Sequence, residues 1–177
     1  MKARFLYITF FLTTWFSNAQ IVINEIDTDT PSLDQKEFVE LHSATANFSL
    51  NGYVLVFYNA SSTPPYSGTL SYNAIDLDGY STDVNGNFLV GNVLLSPTPA
   101  LSMLDNSIQN GPDVIALYLG DASSFTLNTS VTSIGLVDGI AYSGNTTQPT
   151  ALMTALGLTV CVNENSTSNV LSVDSLK

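Results

Sequence analysis

Short apolar runs separated by polar, turn-rich segments recur along the whole chain. Ile21 to Ile26 and Glu37 to His42 are rich in β-formers and flank a polar loop that holds Pro31. In the second run Val39 and Leu41 share one face, while Phe38, Glu40 and His42 share the other, the period of two expected of a strand. Leu50-Asn51-Gly52 is a turn signal. Tyr53 to Tyr58 follows, apolar nearly throughout, which predicts a central strand. Thr69 to Leu77 is a further strand. Asp83-Val84-Asn85-Gly86-Asn87 leads into Phe88-Leu89-Val90-Gly91, and its Asn-Gly pair predicts a β-hairpin with a type I′ turn. Val93 to Ala100 carries serine and proline and reads as an edge or a loop. Val114 to Leu119, Gly135 to Tyr142, Leu158 to Val162 and Val170 to Val173 complete the strand candidates. Pro149 to Leu156 is the one helical pattern, with Gly157 as its stop. Many short strands with Gly, Pro and Asn turns predict an all-β sandwich or barrel, with one short helix near the C-terminus. No repeat or linker divides it.

The first nineteen residues follow another pattern. Lys2 and Arg4 precede the apolar run Phe5 to Phe16, and Ser17-Asn18-Ala19 supplies a small-x-small cleavage site. This is the pattern of a secretory signal peptide over residues 1–19, leaving 20–177 as the domain. The run falls short of the roughly 20 apolar residues of a membrane span, and no later stretch reaches that length. The expected product is secreted, extracellular or at the cell surface, with no membrane span.

Charge narrows the partners. The chain holds 4 Lys+Arg against 15 Asp+Glu, a net charge of −11, and cleavage after Ala19 would take away Lys2 and Arg4 and leave −13. Lys36 and Lys177 are too few for the basic patch that nucleic-acid binding needs, so direct binding of nucleic acid is not expected. Divalent cations, glycans or proteins fit better. The 45% hydrophobic content and 11% charged residues argue for a packed core rather than disorder. Cys161 is the single cysteine, so no internal disulfide supports that core, and its strand-like surroundings predict a buried, inert thiol.

Five pieces, in order, resemble the lamin tail domain family. They are Ile23-Asn24-Glu25, Glu37-Phe38-Val39-Glu40-Leu41, Leu50-Asn51-Gly52-Tyr53-Val54-Leu55, Gly111-Pro112-Asp113-Val114-Ile115-Ala116-Leu117-Tyr118 and Leu136-Val137-Asp138-Gly139-Ile140-Ala141-Tyr142. The resemblance implies an immunoglobulin-like antiparallel β-sandwich over 20–177. It also implies an accessory role, because secreted members of the family often stand beside hydrolases, including nucleases and phosphatases. It carries over no catalytic residue. Tyr53 stands where the family commonly has tryptophan. The family's last strand runs on through an arginine-containing motif, whereas this sequence stops at Ser175-Leu176-Lys177. On the resemblance, that ending reads as a fragment or as the loss of a partner domain or sorting tail.

Candidate chemistry is concentrated near the start. Residues 21–41 hold six carboxylates and one lysine. Asp27, Asp29, Asp34 and Glu37 could supply oxygens to a hard cation such as Ca²⁺, and a solvated acidic loop would use the same residues. Asp76 to Asn87 matches no calcium loop in either register, since Phe88 and Ser81 stand where glycine is required. With His42 as the sole histidine, no Gly-x-Ser-x-Gly elbow and no Cys/His cluster, no catalytic or cofactor-binding residue is assigned. Sequons occur at Asn47, Asn59, Asn128, Asn145 and Asn165. Tyr58, Tyr66, Tyr72 and Tyr80 sit in or beside predicted loops, where exposed rings could stack on sugars or meet a protein, although such tyrosines are more often sheet residues with one wet edge.

The sequence therefore reads as a secreted, non-enzymatic module for recognition or tethering of a protein, a glycan or a neighbouring hydrolase domain. The rivals are a metal-assisted hydrolase and a calcium-dependent adhesion or matrix protein, both using the opening acids.

Overall fold

The computed structural model describes residues 20–28, 34–61, 68–144 and 147–163. The leader, Asp29, Tyr66, Asn145, Asn165 and the strand expected at Val170 to Val173 lie outside the described residues.

Among the described residues nine strands and one α-helix follow one another along the chain. They are β1 (Val22–Asp27), β2 (Phe38–His42), β3 (Tyr53–Asn59), β4 (Leu70–Asp76), β5 (Asn87–Asn92), β6 (Leu101–Met103), β7 (Asp113–Leu119), β8 (Leu136–Ser143), α1 (Thr150–Leu156) and β9 (Cys161–Asn163). One sheet has the order β1-β2-β5-β6 and the other β4-β3-β7-β8-β9. The sandwich predicted from the sequence is the architecture found. Two short pairings, β5 with β6 and β8 with β9, are parallel, so both sheets are mixed.

The uninterrupted apolar runs of β3 and β7 have a direct cause. Leu55, Phe57, Ile115 and Leu117 point between the sheets, where they meet Ile26, Val39, Leu41 and Val90. Val54, Val56, Tyr58, Val114, Ala116 and Tyr118 point the other way. That second face is covered by Leu152, Met153 and Leu156 of α1 and by Phe125 of a 3₁₀ turn at Ala122–Phe125. A strand buried on both faces has no polar phase. β2 is buried on one face only and keeps the alternation expected of it. Gly157 ends α1 as predicted, at φ 70°, with its amide directed to the carbonyls of Met153 and Thr154.

The Asn-Gly turn departs from expectation. β4 and β5 lie in different sheets, so Asn85-Gly86 does not close a hairpin between them. Gly86 has φ 85°, while Asn85 is not among the residues with positive φ. Asp83 closes the turn instead: its carbonyl accepts the Gly86 amide at 3.1 Å and its Oδ1 accepts the amides of Asn85 and Asn87, both at 2.8 Å. These bonds hold the Asp83 carboxyl below its ordinary range.

Candidate functional site

Of the four acids singled out as cation ligands, Asp27, Asp34 and Glu37 are described, and they are not gathered into one cage. Asp27 ends β1 and is buried opposite Phe38. Asp34 begins the described stretch that leads to β2, and its carbonyl accepts the amide of Asn106 at 3.0 Å. Glu37 is fully buried. Its carboxylate accepts two backbone amides, Ser107 at 2.8 Å and Ile108 at 3.2 Å. Among the described residues no three His, Cys, Asp or Glu side chains come together as a metal site.

Glu37 belongs to a set of hooks. Its amide donates to Asn92 Oδ1 at 2.6 Å, and its carbonyl accepts the Asn92 amide at 3.0 Å. Asn92 Nδ2 then donates to the carbonyl of Leu104 at 2.8 Å. Together Glu37 and Asn92 hang the 104–108 segment on the β2–β5 pair. Burial is the largest influence on the Glu37 carboxyl and pushes it up to about 7, against the lowering effect of the Ser107 and Ile108 amides; Asp34 adds to the rise.

A second buried polar group sits where β3, β7 and β8 begin or end. Asn59, Asp113 and Tyr142 are register partners across these strands. Gln109 links their side chains to β4: its Oε1 accepts from Asn59 Nδ2, its amide donates to the Tyr72 hydroxyl at 3.1 Å, and its carbonyl accepts the Tyr142 hydroxyl at 2.7 Å. Burial, followed by the charge of Asp113, raises the Tyr72 hydroxyl. Asp113 Oδ1 accepts the Ala60 amide at 3.0 Å, and its Oδ2 is buried without a partner among the described residues. Burial pushes this carboxyl up to about 7.

The accessible feature is different in kind. A cleft of about 380 Å³ opens between β4, the last strand of one sheet, and β6, the last strand of the other. Asn73 and Ile75 line it from β4; Leu101, Ser102 and Met103 line it from β6; Val93, Leu104 and Ser107 complete it. Val93 is 63% exposed and Leu104 83%. Two serines face the cleft, but no carboxylate or imidazole among its lining residues could activate them. The arrangement suits binding of an apolar group.

Three of the four tyrosines, Tyr58, Tyr72 and Tyr80, are described, and none of them is an exposed ring. Tyr58 is fully buried, and its hydroxyl donates to Tyr118 at 3.2 Å. Tyr72 is half-buried with its hydroxyl in the polar group above, and half-buried Tyr80 packs on Phe88 at 5.4 Å between ring centres. Among the described residues the exposed large hydrophobics are all aliphatic. Cys161 is half-buried rather than fully enclosed, and burial raises its thiol. Sequence reasoning read Val93 only as the start of an edge or loop stretch and passed over Leu104, since short aliphatic runs next to Asn, Ser, Pro and Asp look like ordinary loop positions. It also passed over Asp113, hidden in the start of a strand.

Comparison with protein-family models, with curated proteins and with solved structures finds no match for this chain.

Proposed function

We propose that this protein is a secreted, non-enzymatic recognition module that tethers a partner protein through the aliphatic cleft between β4 and β6. One observation carries the reading. Val93 and Leu104 stand exposed beside a ready-made apolar cleft on an otherwise acidic chain. Each leaves on the order of 1–3 kcal/mol of burial free energy unused, and grouped exposed apolar residues mark interaction sites. A protein partner suits this surface better than a glycan, because sugar platforms rest on exposed aromatic rings and the exposed large hydrophobics among the described residues are aliphatic. A neighbouring hydrolase domain, the role implied by the lamin-tail resemblance, is one partner of this class. The hydrolase and calcium-adhesion readings rest on the opening acids, of which Glu37 already has both carboxylate oxygens engaged by amides.

The test is crosslinking of the purified protein to proteins of the medium into which it is secreted, set against the Val93→Glu/Leu104→Glu double variant. A specific crosslinked partner that disappears in the variant supports the reading. Crosslinking unchanged by the variant, or divalent-dependent phosphatase or nuclease turnover by the purified protein, defeats it.

A further inference from the structure

We propose that Asn110 is a site of spontaneous covalent modification, at which the backbone amide of Gly111 displaces the side-chain amide and leaves aspartate or isoaspartate. The sequence places a glycine directly after five Asn or Asp residues: Asn51, Asp78, Asn85, Asn110 and Asp138. Glycine has no side chain to shield its amide nitrogen, so each pair sets a nucleophile beside a carbonyl carbon of the same chain. In the reaction the glycine nitrogen gives up its proton to solvent and bonds to the asparagine Cγ. The bond between Cγ and the side-chain nitrogen breaks, and ammonia leaves. Solvent water then opens the cyclic imide at either carbonyl. One product is aspartate; the other is isoaspartate, whose backbone is one carbon longer. Nothing is oxidised or reduced.

Four of the pairs are tied in ways that oppose this attack. Asn51-Gly52 and Asp78-Gly79 lock each other: the Gly52 amide donates to Asp78 Oδ1 at 2.5 Å, and the Gly79 amide donates to Asn51 Oδ1 at 2.7 Å. In Asn85-Gly86 the Gly86 amide donates to the Asp83 carbonyl at 3.1 Å, and the Asn85 side chain is hydrogen-bonded to the Asp83 carboxylate. Asp138 Oδ2 accepts the Ile23 amide at 2.8 Å, and Gly139 lies within β8, in register with Ala116 of β7. A side chain or amide held in this way cannot turn to the geometry the attack needs.

Asn110-Gly111 differs in both groups. Asn110 is exposed, and its carbonyl accepts the Gly144 amide at 3.1 Å. Among the described residues neither its side chain nor the Gly111 amide has a hydrogen-bond partner. The position gives the modification a consequence. Gln109, just before it, binds Asn59, Tyr72 and Tyr142, and Asp113, just after it, is buried at the start of β7. A new carboxylate or an added backbone carbon between them strains the buried polar group that joins β3, β4, β7 and β8.

The test stores the purified protein in warm, mildly alkaline buffer. Peptide mapping after pepsin digestion in acid then follows the amide-to-acid mass gain at each asparagine. Asn110 is expected to convert at least about tenfold faster than Asn51 or Asn85 in the folded protein. In concentrated urea, where the tying bonds are gone, the three should convert at similar rates. Asp83→Ala, which frees the Asn85-Gly86 turn, should speed conversion at Asn85 and leave Asn110 unchanged. Asn110→Gln should remove the fast conversion and slow the fall in melting temperature on storage. Conversion at Asn51 or Asn85 as fast as at Asn110 in the folded parent overturns the proposal. So does an Asn110 that stays intact when folded but converts in urea.

Discussion

Ser107 donates its backbone amide to the carboxylate of Glu37 at 2.8 Å, across 70 positions of the chain. With the Ile108 amide on the other oxygen, this bond fixes the segment that walls the cleft against the β2–β5 pair. Glu37→Gln keeps the shape but turns an amide donor toward a backbone donor. Buried groups left unsatisfied cost about 1–3 kcal/mol. Urea unfolding of the variant should show a loss of that size, with weakened partner crosslinking because Leu104 and Ser107 lose their anchor. A variant as stable as the parent would remove Glu37 from this role.

Asp113 and Glu37 make stability depend on pH in an unusual direction. Burial raises both carboxyls to about 7, above the roughly 4 of an unfolded chain. The folded state therefore holds more protons between about pH 4 and 7. The stability tied to these groups is fully present below the unfolded value and is lost as pH rises through about 7. Thermal melts should fall from pH 5 to pH 8. Asp113→Asn removes a buried charge whose Oδ2 has no partner, so it should raise the melting temperature at pH 8 and change it little at pH 5. At this size 1 kcal/mol moves the midpoint about 2–4 °C. Identical pH profiles for parent and variant would contradict the assignment.

Tyr118 joins two parts of the outer core. Its hydroxyl accepts from Tyr58 at 3.2 Å and donates to the Thr132 carbonyl at 2.7 Å. Tyr118→Phe leaves a buried hydroxyl and a carbonyl without their partner, at a cost of about 1–3 kcal/mol. Chemical denaturation checks the figure. Tyr58→Phe, which removes only a donor, should cost less.

Gly86 is required by two constraints at once. Its φ is 85°, and a Cβ there would run into the Ser43 carbonyl oxygen. Strained φ alone costs about 1–3 kcal/mol, and the clash with backbone adds to it. Gly86→Ala should lower the thermal midpoint more than Gly79→Ala, where φ is equally positive but the added carbon meets nothing within 4 Å. Equal shifts for the two variants would leave only the φ effect.

The strands and their faces were legible in the sequence because they follow from local periodicity. The alternation of β2 and the one helix with its glycine stop were readable from neighbouring residues alone. So was the unbroken apolar run of β3, since only a strand covered on both sides needs one. Charge and the apolar N-terminal run likewise belong to composition and order. What the sequence could not decide depends on contacts between distant segments. The placement of β4 and β5 in separate sheets turned an expected hairpin into a turn closed by Asp83. Glu37 looked like one more acid of a wet loop until its oxygens met amides from residues 107 and 108. The cleft exists because the two sheets end side by side at β4 and β6, and no local pattern records which edges come together. Such pairings are set by global burial, which sums over the whole chain and leaves no signature in any one window of it.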